Sequence, residues 1–216
     1  MANWDKRYAE TTDRLFGEKP NEYVRQVLAR SDFSAKTALC IADGDGRNGT
    51  WLAKQGLKVT AIDISAVATE QALAHDKARG VTVERIVADI AEWVPEPGRT
   101  WDCAFMIYLQ CEADVRNRAA TLASALLNPG GWFIAEGFAP NDSGRGSLGP
   151  GMPDLLYERD QLLDAVGDLQ VIEALNGWIQ LDEGTKHQGT GWILRLLARR
   201  SKVAVREASQ FGSKAI

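Results

Sequence analysis

The stretch Thr37-Ala38-Leu39-Cys40-Ile41-Ala42-Asp43-Gly44-Asp45-Gly46-Arg47-Asn48-Gly49 decides how this chain is read. A short apolar run stops at two glycines one residue apart, and a helical pattern follows at once. Strand, tight turn and helix N-terminus together turn backbone N–H groups toward a nucleotide-like ligand. Gly44, Gly46 and Gly49 also satisfy the G-x-G-x-x-G spacing of dinucleotide sites. The spacing leaves open which ligand the turn serves.

Outward from this unit the pattern alternates. Residues 21–30 read as a helix, with Tyr23, Val24, Val27 and Leu28 at helical spacing. Residues 38–42 form a buried strand, and 48–55 a helix closed by Gly56. The next strand, 57–62, ends at Asp63, and Ser65 caps a helix that runs to Arg79 and closes at Gly80. Residues 81–88 are a third strand ending at Asp89, 101–107 a fourth, 113–127 a helix and 132–136 a fifth strand. Such alternation predicts an α/β fold, a Rossmann-like doubly wound sheet with helices on both faces. Ligands of these sheets bind at the carboxyl ends of the strands, where Asp43, Asp63, Asp89 and Tyr108 fall.

The alternation then breaks. Residues 140–153, rich in Gly, Pro, Ser and Asn, are expected to be a loop bordering the site. Residues 155–165 read as a helix, and 169–179 and 190–198 as an antiparallel pair turning at 182–185. The expected organisation is one domain, 1–199, with 1–30 as an N-terminal cap segment and 200–216 as a tail.

Bulk properties narrow the function. The 216 residues are 45% hydrophobic and 25% charged, an ordinary globular composition. A net charge of −4 with scattered Lys and Arg points away from nucleic acid as the main partner. There is no signal-peptide pattern and no run approaching a membrane span, so a cytoplasmic protein without membrane partners is expected. Cys40, Cys103 and Cys111 suit a reducing compartment, and two histidines without ligand spacing predict no metal.

Charge chooses between ligands for the turn. A pyrophosphate there would meet the carboxylates of Asp43 and Asp45 flanking Gly44, a costly like-charge contact. S-adenosylmethionine has no phosphate and carries an ammonium and a sulfonium, which carboxylates tolerate. Asp63, nineteen residues after Gly44, stands where an acid accepts hydrogen bonds from ribose hydroxyls. Asp89 can accept one from an adenine amino group. Tyr157 is followed by Gln161 rather than lysine four positions on, so the catalytic pair of a short-chain dehydrogenase is missing.

On these residues the chain resembles the class I S-adenosylmethionine-dependent methyltransferases, especially the tellurite-resistance and thiopurine-methyltransferase-like group. The resembling motifs are Trp4-Asp5-Lys6-Arg7-Tyr8, Phe16-Gly17-Glu18-Lys19-Pro20-Asn21, Ala42-Asp43-Gly44-Asp45-Gly46-Arg47-Asn48 and Val59-Thr60-Ala61-Ile62-Asp63-Ile64-Ser65. Val87-Ala88-Asp89-Ile90, Trp101-Asp102 and Leu127-Asn128-Pro129-Gly130-Gly131 follow in the family's order. The resemblance implies seven strands, mostly parallel, with a C-terminal antiparallel hairpin. It also implies that Ala42, Asp43, Gly44, Asp45, Gly46, Arg47 and Asn48 wrap the methionine part of the cofactor. Asp63 with Ile64 would meet the ribose, Ala88, Asp89 and Ile90 the adenine, and Met106 and Tyr108 the sulfonium. The family usually has glycine where this chain has Ala42, and an acid where it has Cys40.

The implied reaction is methyl transfer to a small-molecule acceptor such as a thiol or chalcogen compound. An NAD-dependent oxidoreductase and a noncatalytic sensor of the cofactor are the rival readings. Tyr108, Arg14 and His187 are the substrate-side candidates. Against these stand plainer readings: Arg14 as a solvated surface arginine, His187 as a surface histidine, and Cys111 as packing rather than nucleophile.

Overall fold

The computed structural model describes residues 3–11, 14–141, 148–184 and 186–202. Seven strands form one sheet: β1 Thr37–Ile41, β2 Lys58–Asp63, β3 Glu84–Val87, β4 Trp101–Ile107, β5 Leu127–Phe138, β6 Gln170–Asp182 and β7 Gln188–Arg199. Their order is β3-β2-β1-β4-β5-β7-β6. The first five run parallel, while β7 lies antiparallel between β5 and β6. Both the doubly wound sheet and the terminal hairpin match the sequence expectation.

Side-chain alternation along the strands divides the core between the two faces. Leu39 and Ile41 of β1 point into a layer with Met106, Phe133 and Tyr157. Ala38 and Cys40 point the other way, against Tyr23, Val24, Leu52 and Phe105. Helices α2 Glu22–Leu28 and α3 Arg47–Lys54 lie on this second face. The first face is covered by α5 Ala113–Ala125 and α6 Arg159–Val166, through Ala119, Ala120, Ala123 and Leu162.

Two expected boundaries shift. The third strand is shorter than 81–88, because Val81 N–H donates to Asp76 O and closes helix α4, Ala66–Arg79, around the left-handed Gly80. The helix expected over 155–165 starts only at Arg159, after a 3-10 turn, Pro153–Leu155. Between them Tyr157 N–H donates to Phe138 O at 2.7 Å, extending the chain along the end of β5. Helix α1, Trp4–Ala9, is an element that the sequence reading left within its cap segment. Residues 142–147 of the expected loop, Thr185 of the turn and 203–216 of the tail lie outside the described residues.

The strand order reverses between β1 and β4, and the residue following each strand has an unusual backbone. Ala42 has φ 55° and Tyr108 φ 53°, the two non-glycine residues at positive φ among those described. L-residues in this region are held there by surrounding structure, and such strain gathers at ligand sites. The crevice at this switch point is where α/β sheets bind ligands.

Candidate active site

One cavity of about 1250 Å³ opens over that crevice. A single drug-sized ligand fills roughly 300–1,000 Å³, so the volume suits a cofactor together with a second molecule. Ala42, Asp43, Gly44, Asp45, Arg47, Asn48, Asp63, Ile64, Ala88, Asp89, Ile90, Tyr108 and His187 all line it, as sequence reasoning expected of site residues.

Three candidates fall elsewhere. Met106 is wholly buried inside the core, because its parity along β4 turns it into the sheet face that holds Leu39 and Phe133. Gly46 caps α3 at φ 84°, where a β-carbon would meet Arg85 and Ala72. Arg14 does not line the cavity and is not a solvated arginine: its Nε and Nη2 each reach the Asp45 carboxylate at 3.1 Å, with side chains 8% and 3% exposed.

This pairing changes the reading of the glycine turn. Asp45 is neutralised by Arg14, and Asp43 Oδ2 accepts from Arg85 Nη1 at 3.0 Å. Repulsion between bare carboxylates and a pyrophosphate therefore does not operate as expected. Hydrogen bonding replaces it as the discriminating factor. Asp43 Oδ1 accepts from Gly49 N–H in the first turn of α3, and Gly44 N–H donates to Asp63 Oδ2 at 2.7 Å. Gly46 N–H is taken by Asp43 O. These three amides are satisfied from within the protein, so a phosphate would have to compete with Asp43 and Asp63 for them. Gly49 is glycine for the same reason, since a β-carbon there would lie 2.3 Å from Asp43 Oδ2.

Arg85 is the residue that the sequence hid. From β3 it spans Asp43, Asp76 and Thr50, with Nε 2.7 Å from Asp76 Oδ2 and Nη2 3.1 Å from Thr50 Oγ1. Burial pushes the Asp43 carboxyl up, and Arg85 offsets part of that rise.

Asp63 faces the cavity with a carboxylate that already accepts two backbone N–H groups, from Gly44 and from Ser65 at 2.8 Å. Burial nevertheless raises its pKa to about 6, with Asp43 and Asp45 adding to the push. Asp89 Oδ1 accepts from Ala91 N–H at 2.9 Å in a tight turn beside Ile90.

The N-terminal segment closes the cavity from above. Asp5 of α1 accepts from Ser65 Oγ at 2.6 Å and Val67 N–H at 3.2 Å, docking α1 on the start of α4. Tyr8 then sits on the glycine turn, and a β-carbon at Gly44 would lie 2.2 Å from its hydroxyl. Further along, Asn21 donates from Nδ2 to Glu136 at 2.6 Å and Glu183 at 3.0 Å, and its N–H donates to Asn48 Oδ1. Arg195 Nε completes Glu136 at 2.7 Å. Arg47 pairs with Glu183 at 2.8 Å and donates to Phe16 O. Arg47 and Asn48 thus line the cavity while their polar ends latch the cap. An acid inside the apolar run Trp132-Phe133-Ile134-Ala135-Glu136 was the visible signal for this network.

Gly17 and Gly184 bring the cap and the β6–β7 turn into backbone contact. A β-carbon on Gly184 would lie 2.3 Å from Gly17 N, and one on Gly17 would lie 2.9 Å from Gly184 N. This contact carries His187 inward, 2% exposed and not a surface histidine. Its ring stands 4.4 Å from Tyr108, 4.7 Å from Phe16 and 5.3 Å from Phe138. Cys111, half-buried, has its thiol pushed up to about 12 by burial, which keeps it from acting as a thiolate.

Residues 38–131 match a family model described as a methyltransferase domain. The chain has the fold of the class I S-adenosylmethionine-dependent methyltransferases. No curated protein matches the sequence. Among solved structures, TehB from Haemophilus influenzae superposes with TM-score 0.70 at 15% identity, covering 92% of this chain and 66% of that one. A structure described by the conversion of a disulfide bond into a thioacetal group during echinomycin biosynthesis gives TM-score 0.70 at 17% identity, over 94% and 92% of the two chains. The N-methyltransferase NodS from Bradyrhizobium japonicum WM9 gives 0.62 at 16%, over 83% and 95%.

The donor set at this crevice fits S-adenosylmethionine. An acceptor-only carboxylate, Asp63, suits a ribose diol. Among the described residues no group of His, Cys, Asp or Glu could hold a metal ion, and no helix is long and apolar enough to cross a membrane.

Proposed function

We propose that this protein is a cytoplasmic enzyme that methylates a small-molecule acceptor, bound beside the cofactor in this cavity. Residues 1–199 form the catalytic domain in this reading, with 1–30 as its cap. The observation that carries it is the continuity of the cavity, which runs from the glycine turn and Asp63 to the aromatic chamber at Tyr108 and His187. Asp63 and Ile64 would hold the ribose, Ala88, Asp89 and Ile90 the adenine, and the backbone from Ala42 to Asp45 the amino-acid end. The bound cofactor supplies the methyl group and a neutral thioether leaving group. The protein's own contribution is alignment and exclusion of water, which the cap, latched through Asn21, Arg47 and Glu183, is built to provide.

Calorimetry with S-adenosylhomocysteine and with NAD tests the cofactor side. Tighter binding of NAD, or no heat with S-adenosylhomocysteine, would remove the basis of this reading. Turnover against thiols, phenols, selenite and tellurite tests the acceptor side, where a thiol or chalcogen compound is the sequence-based expectation. Silence across the panel with normal cofactor binding would favour a sensor.

A further inference from the structure

The acceptor end of the cavity contains two buried polar atoms without hydrogen-bond partners, Tyr108 Oη and His187 Nδ1. They belong to rings 4.4 Å apart, and Phe16 and Phe138 complete an aromatic wall around the histidine. His187 lines the cavity while its Nδ1 lies 3.8 Å from Glu183 Oε2. With Nδ1 turned to the carboxylate, Nε2 is the ring nitrogen left for a bound molecule. Glu183 is itself fixed by Arg47, Asn21 and Glu22 N–H, so the carboxylate beside the ring is held in place.

The charged groups facing this chamber are Glu183, Arg47, Glu136 and, at its rim, Lys186 and Asp154, beside the neutral phenol of Tyr108. Arg47 is spent on Glu183 and Phe16 O. Among the described residues an anionic acceptor therefore finds no free buried cation to receive it, and an apolar molecule finds aromatic faces. Burial, with Arg47 nearby, holds His187 below the usual histidine range, so the ring is neutral and able to take a proton. Glu183 stays ionised, its carboxyl brought down to about 2 by His187 and Arg47 against the upward push of burial.

Resting on the methyltransferase reading above, we propose that His187 is the general base of the reaction, positioned by Glu183. The substrate class is then an uncharged nucleophile that arrives bearing its proton on an apolar or aromatic body, a thiol or a phenol, rather than a chalcogen oxyanion. The acceptor's proton passes to His187 Nε2 as its oxygen or sulfur bonds to the methyl carbon. The carbon–sulfur bond breaks with its electron pair retained on sulfur, whose positive charge is thereby discharged. The imidazolium, balanced by Glu183, returns its proton to water when the product leaves.

The test uses His187→Gln and His187→Phe, the second preserving the aromatic packing. A series of phenols and thiols of graded acidity serves as acceptors, beside selenite and tellurite. Removing a general base should cost about 100-fold or more in kcat for the least acidic acceptors and under ~10-fold for the most acidic. S-adenosylhomocysteine affinity should be unchanged in both variants. A readout without turnover is 4-nitrophenol bound to the protein with S-adenosylhomocysteine. Its affinity should fall about tenfold in His187→Phe, which removes the hydrogen-bond acceptor, and less in His187→Gln, which keeps one. An equal loss on all acceptors, an unchanged 4-nitrophenol affinity in His187→Phe, or turnover of selenite or tellurite in preference to every protic acceptor would overturn the proposal. Failure to bind S-adenosylhomocysteine would instead sink the methyltransferase reading and this proposal with it.

Discussion

Asp63 makes cofactor binding a proton-linked event. Its carboxyl is raised to about 6 by burial despite accepting N–H groups from Gly44 and Ser65. Two ribose hydroxyls donating to it would favour the charged form and return the pKa to roughly 4, the ordinary carboxylate range. Binding must then release a proton wherever the free protein holds one. Linkage predicts affinity about tenfold weaker near pH ~5 than near pH ~7.5, ~1.4 kcal/mol, with about 0.8 proton released at the lower pH. The assay is calorimetry with 5′-methylthioadenosine, which has the ribose and adenine but no ionisable amino acid. Repeating it in buffers of different ionisation enthalpy counts the protons directly. Asp43 is also raised by burial, so Asp63→Asn serves as the control: any slope it retains belongs to Asp43. Affinity independent of pH across this range, or proton uptake on binding, would refute the assignment of Asp63 to the ribose.

The same group sets a stability trend of opposite sense. A carboxyl raised in the folded state stabilises most below its unfolded pKa, so the free protein should lose up to ~3 kcal/mol from this residue as pH rises from about 4 to above 6, measured by urea unfolding. Arg85→Met should destabilise by roughly 3–5 kcal/mol, because it strands Asp43 and Asp76 as buried charges; adding Asp43→Asn and Asp76→Asn should recover part of that loss in denaturant titrations. Ala42→Gly should stabilise by about 1 kcal/mol, a rise of ~2–4 °C in Tm by calorimetry, since it relieves a left-handed alanine. Gly184→Ala should cost ~2 kcal/mol or more and lower kcat/KM for the acceptor more than S-adenosylhomocysteine affinity, because it pushes the β6–β7 turn off Gly17 and displaces His187.

The turn illustrates how a sound conclusion can rest on an incomplete reason. Asp43 competes with a phosphate through the N–H groups it accepts from Gly46 and Gly49, while the bare charge invoked from sequence is paired off. Their cationic partners, Arg85 and Arg14, lie 42 and 31 residues away in sequence, on elements with no local pattern to announce the pairing. Met106 shows the same gap at one-residue scale. Being near the end of β4 placed it beside the site, but strand parity turned it into the core and left its neighbour Ile107 to line the cavity.

The chain by itself determined the alternation of strands and helices, the glycine turn, and the acids at the ends of β2 and the third strand region, because periodicity and turn chemistry are local. The tertiary structure alone decided the charge state of that turn, the latch of Asn21 on Glu136 and Glu183, and the inward placement of His187. These depend on which distant groups share a buried volume, where an unpaired charge or polar group is too costly to leave alone. A sequence displays its charges; only the fold pairs them.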